Sequence, residues 1–146
     1  MADRPPQSKP IHVLLRAFYV VVGAGSIGLL VVAARFEPAE EGFGTHRGLG
    51  LPQCSFITLT GRRCPSCGMT TSWAYWMRGN VVQSVQVNAG GTMLALVATL
   101  LGPWVLVSGW RGRYVWFRLN EYVLAAAAVV TVIVVLTQWG WRMLVY

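Results

Sequence analysis

The side chains best suited to chemistry in this sequence are its three cysteines, Cys54, Cys64 and Cys67. Two of them bracket the segment Cys64-Pro65-Ser66-Cys67-Gly68. Two sulfurs three residues apart across a tight turn can face one metal ion. Pro65 fixes φ at the turn, and Gly68 can take a positive φ that frees backbone N–H groups to point at the sulfurs. Tetrahedral Zn²⁺ takes four ligands. Cys54 offers a third and His46 a fourth, a Cys3His set in the order His-x7-Cys-x9-Cys-x2-Cys, which matches no standard finger spacing.

The same residues carry a second chemistry. A Cys-x-x-Cys at a helix N-terminus has a lowered thiol pKa, because the helix dipole favours the thiolate. Cys64 and Cys67 would then form a redox pair with Cys54 as the resolving thiol, since an odd cysteine count leaves one unpaired. No βαβ pattern surrounds the motif, which excludes a thioredoxin domain. Gly68 favours a chain that turns back after Cys67, as in a knuckle, over one that runs straight into a helix, as in a redox motif. A structural metal or disulfide knuckle is therefore the favoured reading, and a membrane thiol–disulfide oxidoreductase the alternative.

These residues sit in a loop, 35–88, that is unlike the rest of the chain. It opens with Glu37, Glu40 and Glu41, three of five acidic residues. A glycine-rich run from Gly42 to Gly50 follows. It lacks the Gly-Lys-Ser/Thr of a phosphate loop and reads as a flexible exit from a membrane. Phe56 to Thr60 reads as a short strand and Gly61-Arg62-Arg63 as a turn. Met69 to Arg78 reads as an amphipathic helix with Met69, Trp73, Trp76 and Met77 on one apolar face. Thr70 or Thr71 would cap its start and Gly79-Asn80 its end. Its length suits a helix lying in the membrane interface or packed on a helix bundle, not one that crosses.

On either side of the loop the chain is apolar. The 146 residues are 55% hydrophobic and 12% charged, with a mean hydropathy of +0.52. Soluble domains carry about 25% charged residues. That balance excludes an ordinary soluble enzyme, a disordered chain and a nucleic-acid binder, although the net charge is +7. Three stretches are apolar enough to cross a bilayer, at about 14–34, 89–110 and 121–140, and all must be helical to satisfy their backbone groups. The β-branched run Val129–Val135 yields to the same requirement. The first stretch is longer than a signal-peptide core and reads as an uncleaved helix. Trp104, Trp110, Tyr114, Trp116, Tyr122, Trp139 and Trp141 near the span ends fit an interfacial belt. Pro103 is expected to kink the second span. Ala24 with Gly28 and Ala98 with Gly102 are candidates for close helix approach.

The expected architecture is thus an all-α membrane protein, one domain over 1–146, with three transmembrane helices and a short interfacial helix in the cysteine loop. Lys and Arg divide equally between the two sides. Arg4, Lys9, Arg16, Arg111, Arg113 and Arg118 lie in short segments near span ends, which places the N-terminus in the cytoplasm and the cysteine loop outside.

The ordered residues Cys54, Leu59-Thr60-Gly61, Cys64-Pro65-Ser66-Cys67-Gly68-Met69-Thr70, Gly79-Asn80 and Asn88 resemble a family of small bacterial membrane proteins catalogued as domain of unknown function 2752. The resemblance covers about 51–103, roughly a third of the chain. It implies a multi-pass inner-membrane location and marks Pro65, Gly68, Thr70, Gly79 and Asn88 as motif residues. It implies no activity. Thr71 stands where many members have Arg, and Ala89 where the family usually has Pro. Replacing Thr71 by Arg is accordingly expected to leave folding intact.

No Asp, Glu, Lys or Arg lies between Ala17 and Ala34, between Ala89 and Trp110 or between Tyr122 and Trp141, which argues against a pump or channel acting alone. His12 reads as a headgroup-level imidazole and Glu121 as an interfacial residue. No Cys-x-x-Cys-His suggests covalent haem, and no Ser-His-Asp set or paired carboxylates stand out. The sequence points to a non-enzymatic interaction or assembly module. Its partners would be lipid and another membrane protein or a second copy, not nucleic acid, and Zn²⁺ is the one cofactor it suggests.

Overall fold

The computed structural model of the chain describes residues 11–50, 52, 54–115 and 120–145. Arg4, Lys9, Trp116 and Arg118 lie outside them. The elements are α1 (Val13–Arg35), a 3-10 turn (Thr45–Leu49), α2 (Ser55–Thr60), α3 (Met69–Met77), α4 (Val81–Arg111) and α5 (Glu121–Val145). No strand occurs among the described residues. Three helices, α1, α4 and α5, are long and apolar enough to cross a membrane.

The interior is built from small and polar side chains rather than large apolar ones. Asn88, Thr71, Ser72, Ser84 and Ser108 are the largest fully buried side chains, while Phe18, Val21, Leu29, Leu100, Val129 and Ile133 are exposed. That distribution suits lipid as solvent, where helices gain nothing by hiding leucine and gain contact by bringing backbones together. α1 and α4 run antiparallel. A β-carbon at Gly23 would lie 2.6 Å from the Leu106 backbone nitrogen, and one at Gly109 would lie 2.9 Å from the Val20 nitrogen. The seam therefore uses Gly23, with Gly102 against Ser26. Ala24 and Gly28 are exposed, and nothing stands within 4 Å of a β-carbon at Gly28. Successive helical residues differ by about 100°, so a shift of one position moves a small residue from the packed face to the lipid face. At the end of the seam, Arg16 donates to the carbonyls of Gly109 and Trp110, both at 2.9 Å. A cation there answers the carbonyls left open at the C-terminus of α4.

α4 is two helices joined by a break. Asn88 has φ −160° and ψ 100°, outside helical values. Pro103, where a kink was expected, causes no such departure. At Asn88 the chain doubles back, because Ser84 Oγ lies 2.7 Å from Thr92 Oγ1 although the two are eight residues apart. In an uninterrupted helix that separation would be about 12 Å. Residues 81–87 thus fold against the start of 89–111. The freed backbone groups find partners on α5. Gln138 accepts from the Ala89 N–H at 2.7 Å and donates to the Val85 carbonyl at 3.1 Å, and Arg142 donates to the carbonyls of Val87 and Gln86.

α3 packs on the bundle. Its buried residues are Thr71, Ser72 and Ala74, and the Trp73 and Trp76 rings are only half-buried. A β-carbon at Gly91 would meet Met69 and Ser72, and Trp76 Nε1 donates to Thr99 Oγ1 at 3.0 Å. α3 therefore runs alongside α4 from the level of Gly91 to that of Thr99, and residues 81–87 return beside it. Together they form a helical hairpin that enters from the cysteine loop and leaves on the same side. Ser84 ties its two limbs by donating to the Ser72 carbonyl at 2.8 Å.

Candidate metal centre

Each cysteine is held by a different local device. Cys54 is the residue before α2. The strand expected over Phe56–Thr60 is this helix instead. A lone strand has no neighbour to take its backbone groups, whereas a helix satisfies them locally. Thr58 and Thr60 suit it by donating to the carbonyls four residues back, at 3.3 and 2.6 Å. Cys64 and Cys67 flank the Pro65-Ser66 turn, which is closed by the Cys67 N–H to the Cys64 carbonyl at 3.0 Å.

Gly68 follows with φ +86° and is the residue before α3. It is irreplaceable on two counts. Its φ belongs to the left-handed region, and a β-carbon there would stand 2.8 Å from both the Gly42 carbonyl oxygen and a Val87 methyl. The chain thus turns at Gly68 and also begins a helix at Met69, so this glycine does not separate a knuckle from a redox motif. The expected cap by Thr70 or Thr71 does not occur, because Gly68 occupies the capping position without a side chain. Gly79, with φ +74°, ends the helix as expected, and Asn80 caps the next one by accepting from the Gln83 N–H.

The three sulfurs meet. Cys54 Sγ lies 3.7 Å from Cys64 Sγ, which lies 3.3 Å from Cys67 Sγ, and all three fall within 4.8 Å of one another. They are free thiols. Sulfurs bound tetrahedrally at about 2.3 Å from a Zn²⁺ stand about 3.8 Å apart, close to the observed spacing, whereas disulfide-bonded sulfurs stand about 2.05 Å apart. Cys54, Cys64 and Cys67 are thus placed to hold a metal ion. A cavity of about 260 Å³ adjoins them and is also lined by Phe43, His46 and Thr70. His46 faces the cavity, but its ring nitrogens are not among the atoms that cluster with the sulfurs.

The thiols are not equivalent. The N–H groups of Phe56 and then Ile57, at the start of α2, hold the Cys54 thiol below its usual pKa. Those amides come from α2, not from the Gly68 turn as the sequence suggested. Burial, and then the contact with Cys64, pushes Cys67 up to about 12.

Asn88 fastens this centre to the membrane helix. Its side-chain amide donates to the Cys67 carbonyl at 3.1 Å and the Pro65 carbonyl at 3.3 Å, while its Oδ1 accepts from the Gly91 N–H at 2.7 Å. One fully buried side chain thus holds the cysteine turn and caps the helix that follows.

The glycine-rich run is ordered rather than a loose exit. Gly42, Gly44 and Gly50 take positive φ and shape the 3-10 turn. Thr45 in that turn pairs with Thr71 through their hydroxyls at 2.8 Å and accepts from the Ala39 N–H. Thr71 has no exposed surface. An arginine there must displace the Thr45 contact and enter a fully buried position, so the structure leads us to expect that Thr71→Arg costs stability.

A family model described as protein of unknown function (DUF2752) matches residues 54–102. The match runs from the first cysteine of the centre into the membrane part of α4. Over this third of the chain the sequence is similar to that family. No curated protein and no solved structure matches the chain.

Sequence reasoning placed Trp139 in the interfacial belt but missed that it, Gln138 and Arg142 bond to the loop and to the break in α4. Trp139 Nε1 donates to the Arg63 carbonyl at 2.9 Å, which ties α5 to the loop just before Cys64. The available signal was Gln138 itself, an amide in an otherwise apolar span.

Proposed function

We propose that Cys54, Cys64 and Cys67 bind a Zn²⁺ ion that staples the loop, and that the protein is a non-enzymatic membrane module whose rigid loop face serves interaction or assembly. The observation that carries this reading is the approach of three free thiols, from two separate segments, to within 4.8 Å. Three like groups gathered this closely gain a shared partner if a cation sits among them. The ion would join α2 to the cysteine turn, and Asn88 would pass that constraint to α4. His46 is the candidate fourth ligand, reached by a side-chain rotation within the cavity it already lines. The location proposed is a bacterial inner membrane, with the N-terminus in the cytoplasm and the cysteine loop outside. Labelling of intact cells with a membrane-impermeant maleimide checks this placement.

The 3.3 Å approach of Cys64 Sγ to Cys67 Sγ favours a second reading. In it, Cys64 and Cys67 reduce a partner's disulfide. Two protons and two electrons pass to the partner, which leaves with two thiols, and a Cys64–Cys67 disulfide forms. One thiol of the pair attacks the partner's disulfide and the other displaces the partner, while Cys54 is the resolving thiol for a mixed disulfide that the pair leaves unclosed, forming a disulfide with the attacking cysteine.

Metal analysis by mass spectrometry beside a thiol count, on the full chain in mild detergent, tests both. About one zinc per chain, lost in the Cys54→Ser/Cys64→Ser/Cys67→Ser variant, supports the staple. Metal-free protein with a reducible Cys64–Cys67 disulfide supports the redox reading and removes the first.

A further inference from the structure

A second cavity, of about 500 Å³, lies between the cysteine loop and the last turns of α5, and Arg62, Arg63 and Arg142 line it together with Val87 and Met143. No carboxylate lines it, and among the described residues none forms an ion pair with these arginines. Two of the guanidinium groups are fixed by other contacts. Arg63 sits 4.2 Å over the Phe43 ring, and Arg142 is anchored to the carbonyls at the break in α4. Gly42 and Gly61, both with positive φ, line the same cavity and present no side chain to it.

We propose that this cavity binds a phosphate group, supplied by the headgroup of an anionic phospholipid. Three cations held at one place repel one another unless an anion lies between them. Arginine presents planar donor pairs that match phosphate oxygens. The position selects the lipid as source. The site lies at the end of a helix whose apolar face is open to lipid along its length, with Trp141 and Leu144 exposed beside the cavity. A headgroup can enter from the side while its acyl chains lie along α5, as in basic pockets between membrane helices. None of the three cysteines lines this cavity.

Native mass spectrometry of the full chain, released from mild detergent after incubation with phosphatidylglycerol, phosphatidylcholine or inorganic phosphate, tests the proposal. Phosphatidylglycerol should be retained at about one per chain in preference to phosphatidylcholine. Arg62→Gln/Arg63→Gln should lose that retention by about fivefold per arginine. Both side chains are exposed, and the Arg63 carbonyl that receives Trp139 is kept. Arg111→Gln/Arg113→Gln, which removes equal charge from the other end of α4, should bind as the parent does. Retention of phosphatidylglycerol in the presence of inorganic phosphate supports the lipid as the source. Arginine-dependent binding of inorganic phosphate without lipid preference also supports the phosphate site and names the free anion as its source. The proposal fails if Arg62→Gln/Arg63→Gln binds both as the parent does, or if Arg111→Gln/Arg113→Gln loses as much.

Discussion

α4 meets its two membrane neighbours by different means. Against α1 it presents glycines, and backbones touch where Gly23 faces Leu106 and Gly109 faces Val20. Against α5 it presents a broken backbone, and Gln138 and Arg142 fill the bonds that the break leaves open. The first contact rests on shape along its length, with Arg16 tying its end to the Gly109 and Trp110 carbonyls. The second depends on donors and acceptors. The difference shows what a membrane protein gives up when it reverses its chain inside a helix: Asn88 creates unpaired groups that only a polar neighbour can answer.

Asn88 should be the most sensitive position. Asn88→Ala leaves the Pro65 and Cys67 carbonyls and the Gly91 N–H without their partner, and a loss of about 3 kcal/mol is expected. The measurement is unfolding by a denaturing detergent followed by circular dichroism. An unchanged midpoint would mean that the turn and helix hold together without the clamp. Next comes the glycine seam. Gly23→Leu forces α1 off α4 and should cost about 2–3 kcal/mol by the same assay. The polar junction should yield less. Gln138→Leu keeps the size but removes both ends of the amide, for about 1 kcal/mol, since unfolded chains in a membrane also find partners. Here proteolysis within residues 81–88 reads the local loosening more directly than a global midpoint. The smallest effect belongs to Gly28→Ala, within about 0.5 kcal/mol, because that face meets lipid. A drop as large as that of Gly23→Leu would reassign the seam.

The three spans were legible because bilayer thickness demands about 20 apolar residues and a closed backbone, and few sequences meet both demands by chance. The cysteine cluster was legible because its residue types are rare and its spacing short. The departures share a physical cause. Phe56–Thr60 looks like a strand on propensity, but propensity is weak where no partner strand exists. Ala24 and Gly28 fit the small-residue spacing as well as the true seam does, and only the neighbour decides which face is used. Trp73 and Trp76 suggested an apolar buried face on α3, yet the packed face is Thr71, Ser72 and Ala74. Asn88 was visible as a motif residue, but its double duty required seeing one turn, 21 to 23 residues upstream, and the Gly91 N–H brought to one side chain.

The break in α4 also has a history within each molecule's synthesis. Ala89 must wait for Gln138, 49 residues later in the chain. At ribosomal speed that is about 2–10 s. Through that interval the newborn protein holds an incomplete fold beside the insertion machinery, and its final segment acts as the latch. Shortening the chain at its far end would therefore leave the centre of the molecule open, however well the earlier segments had been threaded.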